Sequence, residues 1–239
     1  MGDHTCDYFL GGGIVLHQPR SGYRFSIDAV ILAHLAKPAA GNRILDLGTG
    51  CGVIPVMVAY RHPGLQICGV EIQAPLAELA RRNVSNNKMA DHIDIVHKDM
   101  RQLTLHDIGG PVDLVVTNPP YRKLGSGRLN SQSQQAVARH ELAVDLEGVL
   151  TTAGRMLNPS GRMVIIYPSV RSVDLLVAMR SVRLEPKILT MIHSDRSTSA
   201  RLVVVEGAKG GGPGLMVAPP LYLYREDGNY TNAVEAMLS

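Results

Sequence analysis

Asn118-Pro119-Pro120-Tyr121 places two hydrogen-bond acceptors and an aromatic ring on a stiff piece of backbone. Asn118 offers its side-chain carbonyl, and Pro119 offers a main-chain carbonyl on a residue that has no N–H. Two such acceptors suit a planar –NH₂ group, one for each hydrogen. Holding both hydrogens out of plane points the amine's lone pair at an electrophile, so the chemistry suggested is transfer to nitrogen. Tyr121 adds a flat face on which a base can stack. Asn118, Pro119, Pro120 and Tyr121 are therefore the candidate catalytic residues. An asparagine–proline turn is also a common way to open a loop, and a second motif upstream separates the two readings.

The elements that position these groups follow from the flanking pattern. Val112 to Thr117 is a short, mostly apolar run between Gly109-Gly110-Pro111 and the two prolines, which predicts a buried strand that stops at Asn118. In open α/β sheets ligands bind at that end of a strand. The run Arg43-Ile44-Leu45-Asp46-Leu47 leads into Gly48-Thr49-Gly50-Cys51-Gly52 and then into a helix from Val53 to about Arg61. This strand–glycine loop–helix unit allows close approach of a ligand to the backbone. Its spacing is G-x-G-x-G, with Val53 after Gly52, and so matches neither the dinucleotide nor the triphosphate fingerprint. A strand over Leu65–Val70 ends at Glu71, about twenty residues on, where an acid accepts hydrogen bonds from ribose hydroxyls. A strand over His92–His97 leads to Asp99, placed to accept from an exocyclic amine. Asp46, Glu71, Asp99 and Asn118 thus close four successive strands on one nucleoside-binding rim.

The remainder supplies the frame. Asp28 is expected to cap a helix over Ala29–Ala36, and Asp145 one over Leu146–Leu157; Arg162–Pro168 reads as a fifth core strand. A helix over Val170–Val182, strands near Glu185–His193 and Ala200–Glu206, and a short terminal helix complete the pattern. Arg122–Gln135 reads as a mobile loop at the substrate mouth, and Gly207–Gly214 as a flexible loop. Alternating strands and helices give an α/β class. With 239 residues and no internal boundary, the chain is read as one domain, 1–239, with an N-terminal segment 1–42 covering the cofactor and a core from 43.

Composition narrows the rest. The hydrophobic fraction is 45% and the charged fraction 19%, ordinary for a globular protein. Cys6, Cys51 and Cys68 make no C-x-x-C pair, which argues against zinc and a disulfide framework. No apolar run has the length of a membrane span and no secretory signal is visible, so no membrane partner and a cytoplasmic location are expected. The net charge of +3 permits an anionic partner only if basic residues cluster. Arg122, Lys123, Arg128, Arg196 and Arg201 are the candidates for such a basic cluster.

Asp46-Leu-Gly-Thr-Gly-Cys-Gly52, Glu71, Asp99 and Asn118-Pro-Pro-Tyr121 resemble the motif series of class I methyltransferases that use S-adenosylmethionine. Gly22-Tyr-Arg-Phe-Ser-Ile-Asp-Ala-Val30 and Ala138-Arg-His-Glu141 resemble the bacterial tRNA (adenine-N6)-methyltransferases, which act on the adenosine 3′ of the anticodon of a valine tRNA. The resemblance implies a Rossmann-like fold with a seven-stranded, mostly parallel sheet and helices on both faces. It implies S-adenosylmethionine as cofactor, tRNA as partner and no metal. Its implied cofactor contacts are Ser26, Asp28, Asp46, Gly48, Thr49, Gly50, Gly52, Glu71, Ile72, Asp99, Met100 and Asn118. Two alternatives stand beside it. A protein-glutamine N5-methyltransferase also uses Asn-Pro-Pro-Tyr, but its family carries an extra N-terminal helical domain for which residues 1–43 leave no room. A cofactor-binding RNA chaperone without catalysis would need no amine clamp.

Overall fold

The computed structural model describes residues 4–20, 26–119 and 146–239. An antiparallel hairpin comes first, β1 (His4–Phe9) and β2 (Ile14–Pro19). Helix α1 (Ile27–Leu35) follows. Three strand–helix units come next: β3 (Arg43–Leu47) with α2 (Val53–Arg61), β4 (Gln66–Glu71) with α3 (Ala74–Asn86), and β5 (Ile93–His97). Strand β6 (Val112–Thr117) ends at Asn118. Helix α4 (Leu146–Met156) runs straight into β7 (Leu157–Pro168), and α5 (Ser172–Ser181) joins it to β8 (Leu184–His193) and β9 (Ala200–Lys209). Two-residue strands β10 (Met216–Val217) and β11 (Leu221–Tyr222) precede α6 (Asn232–Leu238).

The main sheet has the order β10-β8-β9-β7-β6-β3-β4-β5, with β11 also on β8. Strands β3 to β7 pair in parallel, while β9 runs antiparallel between β7 and β8. Strand β8 therefore points the same way as β3 to β7. The expected seven strands are β3 to β9. The sheet has nine because an edge segment pairs with β8 in two pieces, on either side of Pro219-Pro220, which lack the N–H a continuous strand needs.

Two apolar layers sandwich the sheet. Ile44, Leu114, Val116 and Ile166 face α1, α2 and α3. Leu45, Val115, Ile165 and Val205 face α4 and α5. Two-residue alternation along each strand produces both layers from one sheet.

Several expectations are corrected. Ser26, with extended backbone, is the N-cap of α1, and Asp28 sits inside its first turn. The hairpin β1–β2 was not anticipated. Residues 157–161 belong to β7, although Asn158-Pro159-Ser160-Gly161 has turn composition. Gly207 lies within β9, so the glycine-rich loop begins only after Lys209.

Candidate functional site

The parallel strands end on one edge of the sheet, and the site is built there. Leu47 and Thr117 are register partners at the ends of β3 and β6. The Thr117 hydroxyl donates to the Leu47 carbonyl at 2.8 Å, a fully buried bond one residue before Gly48 and one before Asn118. It fixes the level at which the glycine loop and the Asn118-Pro119 turn leave adjacent strands. Nothing in the sequence marked Thr117, because a threonine closing a strand is also a plain β-former.

The glycine loop is internally satisfied. Gly48 and Thr49 N–H donate to the Val70 carbonyl at 2.9 and 3.0 Å, and Gly52 N–H to the Thr49 carbonyl at 2.9 Å. Gly50 N–H donates to Glu71 Oε2 at 2.9 Å. These amides are spent on the protein, unlike those of a phosphate-binding loop. Gly52 has φ +81°, and a Cβ on it would stand 3.1 Å from Ala80 Cβ and 3.3 Å from Ala80 Cα, so helix packing against α3 accounts for this glycine. Above Gly48, by contrast, a Cβ would meet only Met100 Cε, at 3.8 Å. That is ordinary van der Waals contact, so Gly48 is less tightly confined than Gly52.

Glu71 closes β4 and is 5% exposed. Oε1 accepts from Gln73 N–H at 2.9 Å while Oε2 takes Gly50 N–H at 2.9 Å. Burial raises its pKa, and the donors of Gln73, Gly50 and Ile72 pull it back. A ribose hydroxyl arriving here would share the carboxylate with these donors. Ile72, half-buried, follows it, and the Ile72 carbonyl contacts the His97 ring nitrogen at 3.0 Å.

Asp46 is fully buried, and neither of its oxygens has a hydrogen-bond partner. Burial, with nearby Glu71 adding to it, pushes its pKa up to about 7. The Thr49 hydroxyl draws it down without reaching hydrogen-bond geometry and is itself unpartnered. The Cβ of a residue at position 69 would strike Thr49 Oγ1 at 2.9 Å, so Gly69, the register partner of Asp46, makes room for it. Burial also pushes the Cys51 thiol up to about 12, which leaves it unreactive.

Asp99 differs from expectation in its partners. Its Oδ1 accepts from Arg101 N–H at 2.9 Å, and both oxygens accept from the Arg101 side chain, with Nε at 3.0 Å from each. The Arg101 guanidinium holds its carboxyl below the usual carboxylate range. An incoming amine would share Asp99 with Arg101.

Sequence-predicted groups thus fall on two sides of the sheet's switch point. Asp46, Gly48, Thr49, Gly50, Gly52, Glu71, Ile72, Asp99 and Met100 gather on β3, β4 and β5. Asn118, half-buried, and Pro119, buried, end β6 beside them. Ser26 and Asp28 open α1, and the Asp28 carboxyl feels Arg201, at the start of β9, so they lie on the other half of the rim. Arg196 stands in the turn between β8 and β9. Pro120, Tyr121, Arg122, Lys123 and Arg128 lie outside the described residues, as do Gly22–Phe25 of the Gly22–Val30 match and all of Ala138–Glu141. Among the described residues no group of three or more His, Cys, Asp or Glu could hold a metal, and no helix is long and apolar enough to cross a membrane.

Comparison with known proteins follows the same lines. A family model, methyltransferase small domain, matches residues 27–178. The chain is 34% identical over 185 residues to the tRNA1(Val) (adenine(37)-N6)-methyltransferase of Porphyromonas gingivalis (strain ATCC BAA-308 / W83), across 75% of this chain and 72% of that protein. It is 28% identical to the enzyme of the same name from Dyadobacter fermentans, across 89% and 87%. Among solved structures, a predicted O-methyltransferase from Agrobacterium tumefaciens superposes with a TM-score of 0.71 at 23% identity, covering 88% of this chain and 94% of that one. The geranyl diphosphate C-methyltransferase of Streptomyces coelicolor A3(2), solved with S-adenosyl-L-homocysteine, gives 0.54 at 18% identity, covering 76% of each chain. At these identities the solved structures speak to the fold, which is that of the class I methyltransferases.

Proposed function

The chain belongs to the methyltransferase small-domain family, and from that membership we propose that it methylates N6 of an adenine in tRNA, using S-adenosylmethionine. The target by kinship is the adenosine 3′ of the anticodon in a valine tRNA, the position carried in its relatives' names. The observation that carries the reading is the pairing of β3 with β6. It brings the glycine loop and the Asn118-Pro119 turn to one level on neighbouring strands, locked by Thr117.

The cofactor brings a methyl already activated on a sulfonium, so the protein's work is to position and to shield. Glu71 takes the ribose, and Ile72 and Met100 pack beside the nucleoside. Asp99 accepts the exocyclic amine, at the expense of part of its pairing with Arg101. Asn118 and the Pro119 carbonyl take the two hydrogens of the target amine, and Tyr121 stacks the base. The adenine must leave its stack to arrive there. No strong general base is needed, because the amine becomes acidic once its lone pair is used. The segment 1–42 covers the cofactor, and Asn83 supports this by bonding both His17 and the Cys51 carbonyl of the glycine loop. The protein works in the cytoplasm, where its substrate is.

Asn118→Ala is expected to keep cofactor affinity and to lower turnover by about two orders of magnitude or more, the scale for removing a positioned polar group at a reacting centre. Calorimetry and nucleoside mass spectrometry of treated tRNA read the two quantities separately. Wild-type turnover in the variant would return Asn118-Pro119 to a plain turn.

A further inference from the structure

We propose that the rim from β6 to β11 is a track for the phosphates of single-stranded RNA flanking the target adenosine. Arg171, Arg201 and Arg196 are its successive contacts, and Tyr167 and Tyr222 are positioning residues. The inference rests on the tRNA reading above and adds to it the direction in which the strand leaves the site.

Sheet order places these residues in line. From Asn118 at the end of β6 the neighbours are β7, β9, β8 and then β11. Strand β7 ends at Pro168, and Arg171 closes the short turn that follows. Strand β9 is antiparallel, so its beginning reaches the rim: Leu202 pairs with Pro168, and Ala200 with His193. Arg201 lies between them. Arg196 belongs to the turn after β8, and Tyr222 is in register with His193 on β11. At about 4.8 Å between strands, the four steps from Asn118 to Tyr222 span roughly 19 Å.

Two of the cations are held by rings. The Arg171 guanidinium lies 5.3 Å from the Tyr167 ring centroid, and its NH1 donates to Tyr167 Oη at 2.8 Å. The Arg196 guanidinium lies 5.8 Å from the Tyr222 centroid, and the Tyr222 ring in turn packs at 5.3 Å and 45° against His193. A guanidinium fixed over a ring has already given up much of its rotamer freedom, so less is lost when a phosphate or base binds. Stacked arginine planes are also a way to hold unpaired bases.

The charge is available. Arg196 and Arg201 are exposed. Among the described residues neither forms a salt bridge, whereas Arg81, Arg101, Arg162, Arg180 and Arg225 all do. Arg171 shares its charge with Asp174 at 3.3 Å, but that carboxylate's side chain is 63% exposed, so the pair is weak and exchangeable. Of the acids near the track, Asp195 accepts from Ser197 N–H and hydroxyl, while Asp28 is close enough to feel Arg201 without forming a salt bridge with it. On the other half of the rim, by β4 and β5, Arg101 is paired with Asp99 and Lys98 with Asp107, so these cations are already committed to carboxylates. The substrate strand therefore runs from Asn118 toward β11 and away from the cofactor.

Binding of the unmodified tRNA, followed against salt concentration, tests the track. Each lost phosphate contact lowers the log–log salt slope by about 0.7 for a single strand. Arg171→Ala with Arg196→Ala is expected to lower it by about 1.4, with cofactor affinity unchanged; Arg196→Ala alone gives half that effect. Tyr222→Leu behaves like Arg196→Ala, and Tyr222→Phe restores the wild-type slope because the ring remains. Variants with wild-type affinity and slope, in a protein that still methylates tRNA, would overturn the track and leave the tRNA reading intact. A wild-type protein that binds cofactor but neither binds nor methylates tRNA overturns both.

Discussion

Asp46 combines complete burial with two unpartnered oxygens, and this sets a pH dependence of its own. Its carboxyl ionises near 3.8 in the open chain and at about 7 in the fold. Below the first value both states are protonated. Between the two, the unfolded chain releases a proton that the native one keeps, so stability falls as pH rises from about 4 to about 7. Each unit of the difference corresponds to about 1.4 kcal/mol, as an upper bound for one group. Glu71 adds in the same direction, since burial raises it as well. Asp99 and Asp107, held down by Arg101 and Lys98, act only below the ordinary carboxylate range and do not mask the effect. Asp46→Asn should flatten the decline between pH 4 and 7 in denaturant titrations at successive pH values. An unchanged slope would mean that another group carries the proton.

Among the elements, α3 has a task beyond covering the sheet. Asn83 and Asn87, one turn apart, present their side-chain amides to the free edge of β2. Asn83 accepts from His17 N–H at 2.8 Å and donates to the His17 carbonyl at 2.9 Å. Asn87 accepts from Val15 N–H at 2.8 Å and donates to the Val15 carbonyl at 2.7 Å. The two amides thus stand in for a neighbouring strand, matching the four-residue helical spacing to the two-residue strand spacing. This explains how a two-stranded hairpin, marginal alone, stays in place. Replacing both by Ala should cost about 2–4 kcal/mol, since four main-chain groups lose their partners. Hydrogen exchange at the Val15 and His17 amides should accelerate well before that of β3 and β6. Protection as in the parent would show that the hairpin is held by its apolar contacts alone.

At the scale of the whole molecule, the order of strands divides the rim. Chain order runs outward from β3 in both directions, so the groups expected to hold the cofactor collect on β3, β4 and β5 and those expected to meet the substrate on β6 and beyond. The glycine-loop amides are already bonded within the protein, so the loop is not built to cradle a phosphate. S-adenosylmethionine or its demethylated product, at about a hundred times its dissociation constant, should therefore stabilise the fold by about 2.7 kcal/mol. For a chain of this size that corresponds to a rise of roughly 5–10 °C in Tm. NAD should leave Tm unchanged in the same scanning-calorimetry series; a comparable rise with NAD would contradict the reading of the loop.

Local rules carried much of this. The apolar runs before Gly48, Glu71 and Asn118 determined strands and where they stop, because a buried strand, a glycine turn and a proline pair each act within a few residues. What distant partners decide stayed hidden. The β1–β2 hairpin depends on amides from α3, and β10 and β11 exist only because β8 presents a free edge. Leu157 reads as the last residue of a helix and Asn158 to Gly161 as its end, yet pairing with β6 draws Leu157 into a strand. Asp99 looks free for a ligand until Arg101 folds back on it. Thr117, Gly69 and Tyr222 have no local signature, since each acts through a residue far away in the chain. The sequence by itself determined which groups could bind and react. Only the tertiary structure decided their neighbours, because strand order and helix docking are set by contacts that no local spacing records.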